Sequence, residues 1–374
     1  MWIRSLQVRS FRNLSAEEFY PDPGLNVIVG PNAQGKTNLL EAIFYAGRLT
    51  PFRGSRDADL VLHGQSVAWL LCAYERDGSR EEIEIEIPTS GRRRCKINGS
   101  PVHRLSDAIG RLSVVSFCAT DLAIVSGEPS DRRRFLDDNL ASISHKYRSA
   151  IEQYKRCLEQ RNALLRNYAE NRGGLDDLPD WDAQLGKHGG RVMAIRQLFL
   201  TDLNGRASAI HPELSNGKDR LKLEYHPAVQ EGSSTTEAEW ADRLLQSLQL
   251  NAKEEQRRGM TLSGPHRDDF VAYVDDKDAR SFASQGQQRT AALSIKMAQI
   301  GLVEDRLKHA PIVLLDDVFS DLDPNRRQDL MKFLEGRAQT LITCTDLGSF
   351  SDKILERARI TRVLGGRLMS IEKT

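Results

Sequence analysis

A segment of eight residues near the start of the chain combines the residue types that bind phosphate groups. It reads Gly30-Pro31-Asn32-Ala33-Gln34-Gly35-Lys36-Thr37, which has the spacing GxxxxGK[ST]. Its glycines permit a tight loop whose backbone N–H groups point at phosphate oxygens, and the helix that follows adds the positive end of its dipole. The segment therefore predicts a nucleotide site in which the Lys36 ammonium reaches the β- and γ-phosphates and the Thr37 hydroxyl binds Mg²⁺.

Two adjacent carboxylates in the last third of the chain are the natural partners of this loop. Asp316 and Asp317 follow the apolar run Ile312-Val313-Leu314-Leu315, which is typical of a buried strand. Beside the phosphate loop, Asp316 would reach the metal directly or through water, and Asp317 would act as base or orienting group for the attacking water. An apolar run that ends in Asp is equally typical of a strand closed by a turn. Its combination with the loop favours the catalytic interpretation.

The elements that must position these residues follow from hydrophobic patterning. Leu25–Val29 is a short apolar run that predicts a buried strand, and apolar residues recur at helical spacing from Thr37 to Gly47. Residues 67–103 predict antiparallel strands, because Glu82–Ile87 alternates strictly and Asn98-Gly99 is a strong hairpin turn. Both chemical segments are therefore expected at strand ends in an α/β fold.

A mainly helical block interrupts the two α/β segments. Residues 131–170 lack Gly and Pro and predict a long helix, and further helices are predicted over 181–210 and 237–258. We expect an N-terminal α/β part at 1–120, a helical lobe at 121–255 and a C-terminal α/β part at 256–374.

Composition excludes several protein classes. Apolar residues are 40% and charged residues 28% of the chain, as in an ordinary globular protein. No apolar run approaches the roughly 20 residues of a membrane-spanning helix. The first residues contain no apolar stretch of the length that a signal peptide has, so none is expected. The five cysteines are scattered without a CxxC spacing, so a reduced, cytoplasmic compartment is expected. The net charge of +1 excludes a globally basic nucleic-acid binder but permits a local basic face.

Two further motifs resemble those of ABC-type ATPases. Ser284-Gln285-Gly286-Gln287-Gln288-Arg289 precedes a predicted helix that Ser284 is placed to cap, and alone it would indicate only a capped helix. It nevertheless resembles the ABC signature, and Ser320-Asp321-Leu322-Asp323 resembles the D-loop. The resemblance implies that Ser284, Gly286, Gln287 and Gln288 act on the nucleotide of a partner subunit, and that Ser320, Asp321 and Asp323 belong to the D-loop.

Four segments indicate which family of that superfamily the chain resembles. The chain is similar to the RecF family, bacterial recombination mediators of the ABC/SMC-like superfamily. The resemblance extends from the N-terminus to about residue 347, and its segments are Ser10–Asn13, Pro51–Asp57, Asp131–Asp137 and Ser263–Asp269. It implies an ABC-type ATPase head, in which a P-loop mixed sheet and an antiparallel β subdomain are combined with an inserted, mainly helical lobe.

The resemblance also implies an activity and partners. The expected protein binds ATP and Mg²⁺, dimerises on ATP to clamp DNA, and releases it by weak, DNA-stimulated hydrolysis. The expected DNA is single-stranded or gapped duplex, bound without sequence specificity, where the protein would help to load repair factors during recombinational repair and replication restart. The family further implies RecR and RecO as partners, and no membrane.

Some positions depart from the superfamily pattern or stay open. The stretch Val114–Asp121 contains no Q-loop glutamine, and Thr343-Cys344-Thr345-Asp346 stands where transporters carry a switch histidine. Thr345 or Asp346 is the expected substitute for sensing the γ-phosphate. Arg132, Arg133 and Arg134 are candidate DNA contacts or, beside neighbouring aspartates, a solvated salt-bridged turn.

Three other functions share part of this pattern. An ATP-binding subunit of an ABC transporter is the main alternative, and the helical block and the missing histidine speak against it. An SMC protein would need much longer arms, since a 35-residue helix reaches only about 50 Å. A small-molecule P-loop kinase would work as a monomer, so turnover that does not depend on protein concentration would favour it.

Overall fold

The computed structural model describes residues 1–52, 55–229 and 236–371. Arg53 and Gly54 of the segment Pro51–Asp57 lie outside this range. The chain forms two compact units. The first unit comprises residues 1–121 and 299–374, and the second comprises residues 122–298.

The strands are between two and ten residues long and are numbered in chain order. They are β1 (Trp2–Phe11), β2 (Leu14–Phe19), β3 (Leu25–Val29), β4 (Val67–Arg76), β5 (Ser79–Pro88), β6 (Arg94–Ile97), β7 (Ser100–Pro101), β8 (Val114–Phe117), β9 (Leu221–His226), β10 (Asp269–Val274), β11 (Lys277–Asp278), β12 (Ile312–Asp316), β13 (Thr340–Cys344), β14 (Arg359–Leu364) and β15 (Arg367–Ile371).

The helices differ widely in length. They are α1 (Lys36–Arg48), α2 (Ala123–Ser126), α3 (Pro129–Ile143), α4 (His145–Ala169), α5 (Leu178–Ser215), α6 (Glu237–Arg258), α7 (Ala279–Phe282), α8 (Gln285–Leu307), α9 (Val318–Asp321), α10 (Pro324–Leu334) and α11 (Asp352–Arg357).

The first unit contains two sheets. One is the antiparallel sheet β2-β1-β4-β5-β6-β7, as predicted from the alternating pattern. Asn98 and Gly99 both have positive φ at the turn between β6 and β7, which is the geometry of a tight hairpin. The core formed by this sheet and α1 is apolar and includes Ile83, Ile85 and Ile87 from one face of β5.

The other sheet of the first unit positions the candidate site. Its order is β15-β14-β3-β13-β12-β8, and β14, β3, β13, β12 and β8 run parallel. The register aligns Asp316 with Thr343, and Thr343 with Ile28. The phosphate loop follows β3, so the loop and the carboxylates lie at the same carboxyl edge, which is where open parallel sheets bind ligands.

The second unit is mainly helical and contains the small sheet β11-β10-β9. Its helices α4, α5 and α6 pack against one another, and Gly190 makes the close approach of α5 to α6 possible, because a Cβ there would lie 2.5 Å from the backbone nitrogen of Ala241. Within the described residues, no helix is long and apolar enough to cross a membrane.

Two boundaries differ from the predicted ones. The long helix expected over 131–170 is divided into α3 and α4 at Ser144, whose hydroxyl accepts a hydrogen bond from the Tyr147 backbone and so begins a new helix. The helical lobe expected to end at residue 255 corresponds to a unit that extends to residue 298, because β9 pairs with β10 and the chain beyond 255 returns to the same body.

Candidate nucleotide-binding site

A cavity of about 680 Å³ opens at the carboxyl edge of the parallel sheet. The phosphate loop and the first turn of α1 form one wall, and Phe52 adds an aromatic ring. Asp316, Asp317 and Thr343 contribute from the ends of β12 and β13. The structure therefore brings together the loop and the two carboxylates that the sequence predicted to meet.

The phosphate loop is held in place by its own lysine. The Lys36 ammonium donates to the carbonyls of Gly30 and Pro31 at 2.6 and 2.8 Å. Gly35 has a φ of 111°, and a Cβ on it would lie 2.7 Å from the Asn13 side-chain oxygen. Glycine is thus required here for both conformation and space.

The segment Ser10–Asn13 braces the loop and α1. The Arg12 guanidinium donates to both carboxylate oxygens of Glu41, at 2.8 and 3.0 Å, and Glu41 is buried in α1. The Asn13 amide donates to the Gln34 carbonyl at 3.1 Å and its oxygen accepts from Asn38 at 2.8 Å. Two bonded side chains before β2 therefore fix the orientation of the helix that starts at Lys36.

The two carboxylates differ in environment. Asp316 is 7% exposed, and its Oδ1 accepts hydrogen bonds from Thr37 at 2.8 Å and Thr343 at 3.0 Å. Asp317 is exposed to the cavity, and its backbone has a φ of 54°. Its N–H donates to Thr343 at 2.9 Å. Asp316 is thus fixed against the loop, while the neighbouring carboxylate is presented to solvent.

The predicted D-loop residues follow in α9 and the turn after it. The Ser320 hydroxyl donates to the Asp317 carbonyl at 2.7 Å. Asp323 is the N-cap of α10, because its side chain accepts from the backbones of Asn325 and Arg326. The side chain of Asp321 lies outside the described part of the chain. Asp323 therefore has a structural partner in its own helix.

Two hydroxyls of the cavity were not among the residues predicted from the sequence. Thr343 links Asp316 to the backbone of Asp317, and Thr120 lines the cavity in the stretch where no glutamine was found. The expected γ-phosphate sensors, Thr345 and Asp346, are not among the residues that form the cavity, and Asp346 instead accepts a bond from the Gly348 backbone. The position of Thr343, directly after the apolar residues of β13, was the available signal.

The signature segment lies in the second unit at the start of α8. The Ser284 hydroxyl accepts from the Gln287 N–H at 3.2 Å, and the Gln287 side chain accepts from the Ser284 N–H at 2.9 Å, which is a capping box. The predicted cap is therefore present. Ser284 and Gly286 are exposed, and a Cβ on Gly286 would meet only the Ser284 hydroxyl.

The two signature glutamines form hydrogen bonds within their own unit, and their trans contacts with a partner's nucleotide stay a prediction. Gln287 also donates to Asp219 at 3.2 Å, and Gln288 donates to the carbonyls of Ala279 and Arg280 at 2.9 and 3.3 Å. These amides hold the turn that carries Ser284. Phe282, two residues before Ser284, is 72% exposed on this fixed turn.

Two of the three arginines at the start of α3 form hydrogen bonds within the second unit. Arg132 is 4% exposed and forms two bonds of 2.7 Å with Asp269, so it is not presented to DNA. Arg133 donates to the Asp268 carbonyl at 2.8 Å, whereas Arg134 is an exposed side chain 3.5 Å from Asp131. The prediction of a phosphate contact is corrected for Arg132, and Arg134 is the solvent-facing candidate.

The segment Ser263–Asp269 belongs to a buried polar network. Asp268 is fully buried and accepts from the Ala228 N–H at 2.8 Å and from Arg196 at 3.2 Å. His266 bonds the Tyr154 hydroxyl at 2.6 Å and the Thr261 carbonyl at 3.2 Å. Burial lowers the pKa of His266 to about 4, so the imidazole is neutral at pH 7. These contacts give the segment a structural role.

A second buried group in the same unit is centred on Arg161. This guanidinium is 1% exposed and pairs with Asp182 at 2.5 Å and with the buried Glu255 at 2.7 Å. It also donates to the Thr261 hydroxyl at 2.9 Å. The core of the second unit thus contains ion pairs as well as apolar side chains.

Comparison with protein families gives one model that matches nearly the whole chain. It is the RecF/RecN/SMC N-terminal domain, matched over residues 2–363. A protein of Cyanothece sp. called DNA replication and repair protein RecF is 38% identical over 368 residues, which cover 98% of this chain and 97% of that one. A protein of the same description from Lactobacillus johnsonii is 35% identical over 377 residues, or 100% of both chains.

Solved structures show the same similarity. A structure of the recombination mediator protein RecF with ATP, in the RecFOR pathway, superposes with a TM-score of 0.92 at 30% identity and covers 99% of this chain and 98% of that one. An Smc head bound to the C-terminal winged-helix domain of ScpA superposes with a TM-score of 0.57 at 16% identity. The second match shows a shared fold only.

Proposed function

The chain belongs to the RecF family, and on that premise we propose that it is an ATP-dependent DNA-binding protein of recombinational repair and replication restart. ATP draws two protomers together around DNA, and hydrolysis of the γ-phosphate releases them. The full-length relatives are described as DNA replication and repair proteins, which favours this function over a transporter subunit.

One observation carries the proposal for the ATP site. Thr37 and Asp316 are 279 positions apart in the chain, yet their side-chain oxygens lie 2.8 Å apart in the cavity that Lys36 lines. Neighbouring ligands of an octahedral Mg²⁺ ion are ~2.9 Å apart, given ligand distances of 2.0–2.1 Å. Thr37 and Asp316 therefore fit Mg²⁺, which when bound would neutralise charge on the phosphates.

The remaining residues of the cavity have separate roles in this proposal. Lys36, already bonded to two loop carbonyls, adds a positive charge beside the β- and γ-phosphates. Asp317 accepts or orients the proton of the attacking water, because its carboxylate is exposed to the cavity and Asp316 is engaged with Thr37. Thr343 keeps the two carboxylates in register through its bonds to both residues.

The partner protomer completes the site through its signature. Ser284 and Gly286 are exposed at the N-terminus of α8, a helix of 23 residues whose positive dipole end favours an anion. In the ATP-bound dimer this terminus contacts the γ-phosphate held by the other protomer. Loss of that phosphate removes the shared anion and opens the dimer.

The DNA and protein partners follow from the family. We expect single-stranded or gapped duplex DNA, bound without sequence specificity, and weak hydrolysis that DNA stimulates. The RecF protein whose ATP-bound structure superposes on this chain is described as a member of the RecFOR pathway. RecR and RecO are accordingly the expected protein partners.

Sedimentation with and without ATP and Mg²⁺ tests the proposal. The parent protein should shift from monomer to dimer only when ATP and Mg²⁺ are both present. Lys36→Arg should impair ATP binding or hydrolysis, since guanidinium does not replace a compact ammonium in a tight loop. Ser284→Arg should bind ATP and stay monomeric, because its side chain fills the space of the partner's γ-phosphate.

Ser149→Arg is the matched control for the signature variant. Ser149 is an exposed serine of α4, in the same unit as Ser284. This variant should dimerise like the parent. If the Ser284→Arg protein dimerises with ATP, Ser284 does not belong to a trans signature. If the parent protein stays monomeric with ATP and Mg²⁺, the proposed ATP-dependent clamp is refuted.

A further inference from the structure

A second cleft reaches the amino ends of two strands of the parallel sheet. It has a volume of about 1170 Å³ and includes Leu25 and Thr340, the first residues of β3 and β13. The nucleotide cavity lies at the other ends of these strands, and the two share no lining residue. This cleft is therefore separate from the nucleotide cavity.

Part of the wall of this cleft is apolar. Trp2 lines it from β1, Met331 from α10 and Ile354 from α11, and all three are half-buried. The side chain of Gln339, which also lines the cleft, is bonded to the backbone of Ile3 and Asp22. This part of the cleft is thus suited to apolar side chains.

The charged side chains of the cleft are mostly cationic. Five lysines and arginines line it, against the single carboxylate of Glu335, and they are Arg327, Lys332, Arg337, Lys353 and Arg357. Arg357 pairs with Glu335 and Arg337 with Glu304. In the described part of the chain no carboxylate lies within ion-pair distance of Lys332 or Lys353, and both are exposed. The rim thus retains positive charge after the internal pairs are formed.

The combination of size, apolar wall and cationic rim identifies the class of occupant. The volume exceeds the roughly 300–1,000 Å³ of most small-molecule pockets. A nucleic acid backbone would use the cations and leave the apolar wall without a partner. An extended acidic peptide uses both, since its carboxylates pair with lysines and its apolar side chains become buried.

We propose that this cleft is a docking site for an extended acidic segment of a partner protein. The carboxylates of the segment pair with Lys332, Lys353 and Arg327, and an apolar side chain enters between Met331 and Ile354. Phe319 of α9 and Pro324 of α10 also line the cleft, so the docked segment contacts the elements that directly follow Asp317.

Fluorescence anisotropy with the full chain tests this docking site. The probe is a labelled octapeptide in which Asp and Glu alternate with Leu and Phe, and its reference carries Asn and Gln in place of the acids. The acidic peptide should bind at least tenfold more tightly than the reference. Lys332→Glu combined with Lys353→Glu should weaken binding at least tenfold, and Met331→Glu should do the same from the apolar side.

Lys218→Glu combined with Lys253→Glu is the matched control, because both lysines are exposed and lie in the second unit. It should bind the peptide like the parent, and thermal unfolding should show that all variants are folded. Equal binding of both peptides, or equal binding by the two double variants, would overturn the proposal. So would competition by an eight-nucleotide DNA as effective as that by unlabelled peptide, which would assign the cleft to nucleic acid. These outcomes do not depend on whether ATP drives dimerisation.

Discussion

At the scale of single residues, the different surroundings of the two adjacent carboxylates favour the separate tasks that we propose for them. Asp316 is bonded to Thr37 and Thr343, while Asp317 has a left-handed backbone and an exposed side chain. Such a backbone is uncommon outside glycine but is tolerated by Asp and Asn. Substitution of Asp317 by Asn therefore removes the charge and keeps the local conformation.

Asp317→Asn should prolong the ATP-bound dimer on DNA. We expect hydrolysis to slow by roughly 10²-fold or more, because a group that accepts or orients a proton contributes about that much. ATP and Mg²⁺ should still bind, since Lys36, Thr37 and Asp316 are unchanged. The lifetime of the dimer after ATP addition, followed by sedimentation or light scattering, measures the effect.

Asp316→Asn is the comparison for this experiment. It should weaken Mg²⁺-dependent nucleotide binding and lower the dimer population, so the two neighbouring substitutions give opposite results in one assay. Normal hydrolysis by Asp317→Asn, or failure of both variants to dimerise, would show that the base lies elsewhere.

His266 should make the stability of the second unit depend on pH. Burial lowers its pKa from 6.5 to about 4, so the unfolded chain binds a proton at a higher pH than the folded chain does. Stability is therefore complete above pH 6.5 and decreases as the pH falls towards 4. Between pH 6.5 and 5 we expect a loss of about 1–2 kcal/mol from this group.

Urea unfolding at several pH values measures this dependence. His266→Gln should be less stable than the parent at pH 7, because it loses the imidazole contacts, and should show a smaller change between pH 6.5 and 5. His226→Gln is the control, since His226 is an exposed histidine. An unchanged slope in His266→Gln would contradict the assignment of the buried neutral imidazole.

At the scale of elements, the strands and the helix around the nucleotide cavity could be predicted from the sequence more accurately than the extent of the second unit. The strand, loop and helix around Lys36 were predictable because each has a local pattern, and their register against β12 follows from the parallel sheet. The pairing of β9 with β10 was not predictable, because it joins residues such as His226 and Asp269 that are far apart in the chain. This long-range pairing joins residues after 255 to the second unit, and the hydrophobic periodicity of the sequence contains no information about it.

The directions of the signature glutamine side chains could not be predicted from the sequence either. A resemblance gives the residue types of a motif but not the direction of each side chain. The structure turns Gln288 towards the carbonyls of Ala279 and Arg280, where it holds the turn before Ser284. These bonds favour a role of Gln288 in positioning the signature, while its implied contact with a partner's nucleotide stays a prediction.

Gln288→Ala distinguishes these two roles. If Gln288 holds the turn, the variant should lose about 1 kcal/mol of stability and bind its ATP-dependent partner roughly tenfold more weakly. Gln288→Glu should behave in the same way, because a carboxylate provides no donor for the carbonyls. Thermal unfolding and sedimentation measure the two effects.

Gln285→Ala is the neighbouring control, because Gln285 is exposed at the start of the same helix. Its stability should equal that of the parent. An unchanged stability in Gln288→Ala, together with lost dimerisation, would instead support direct contact in trans.

At the scale of the whole molecule, the near-neutral charge constrains how DNA is bound. The chain has 53 basic and 52 acidic residues, so its affinity for DNA must come from local patches that dimerisation combines. DNA binding should therefore require ATP, decrease with salt and be independent of sequence. Each neutralised phosphate should contribute about −0.9 to the slope of log affinity against log salt.

Titration of labelled DNA at several salt concentrations tests this. Ser284→Arg should bind DNA weakly with or without ATP, because it does not form the dimer. Binding without ATP that is insensitive to salt would contradict the clamp.

The ion pairs buried in the second unit affect how it responds to temperature. Arg161 and Arg196 are each 1% exposed and are surrounded by carboxylates. Exposure of polar surface lowers the heat capacity of unfolding, whereas exposure of an apolar core raises it. The cost of removing ions from water also decreases on warming. The second unit should consequently have a flatter stability curve than a unit of the same size with a purely apolar core, and should keep more of its stability in the cold and in the heat.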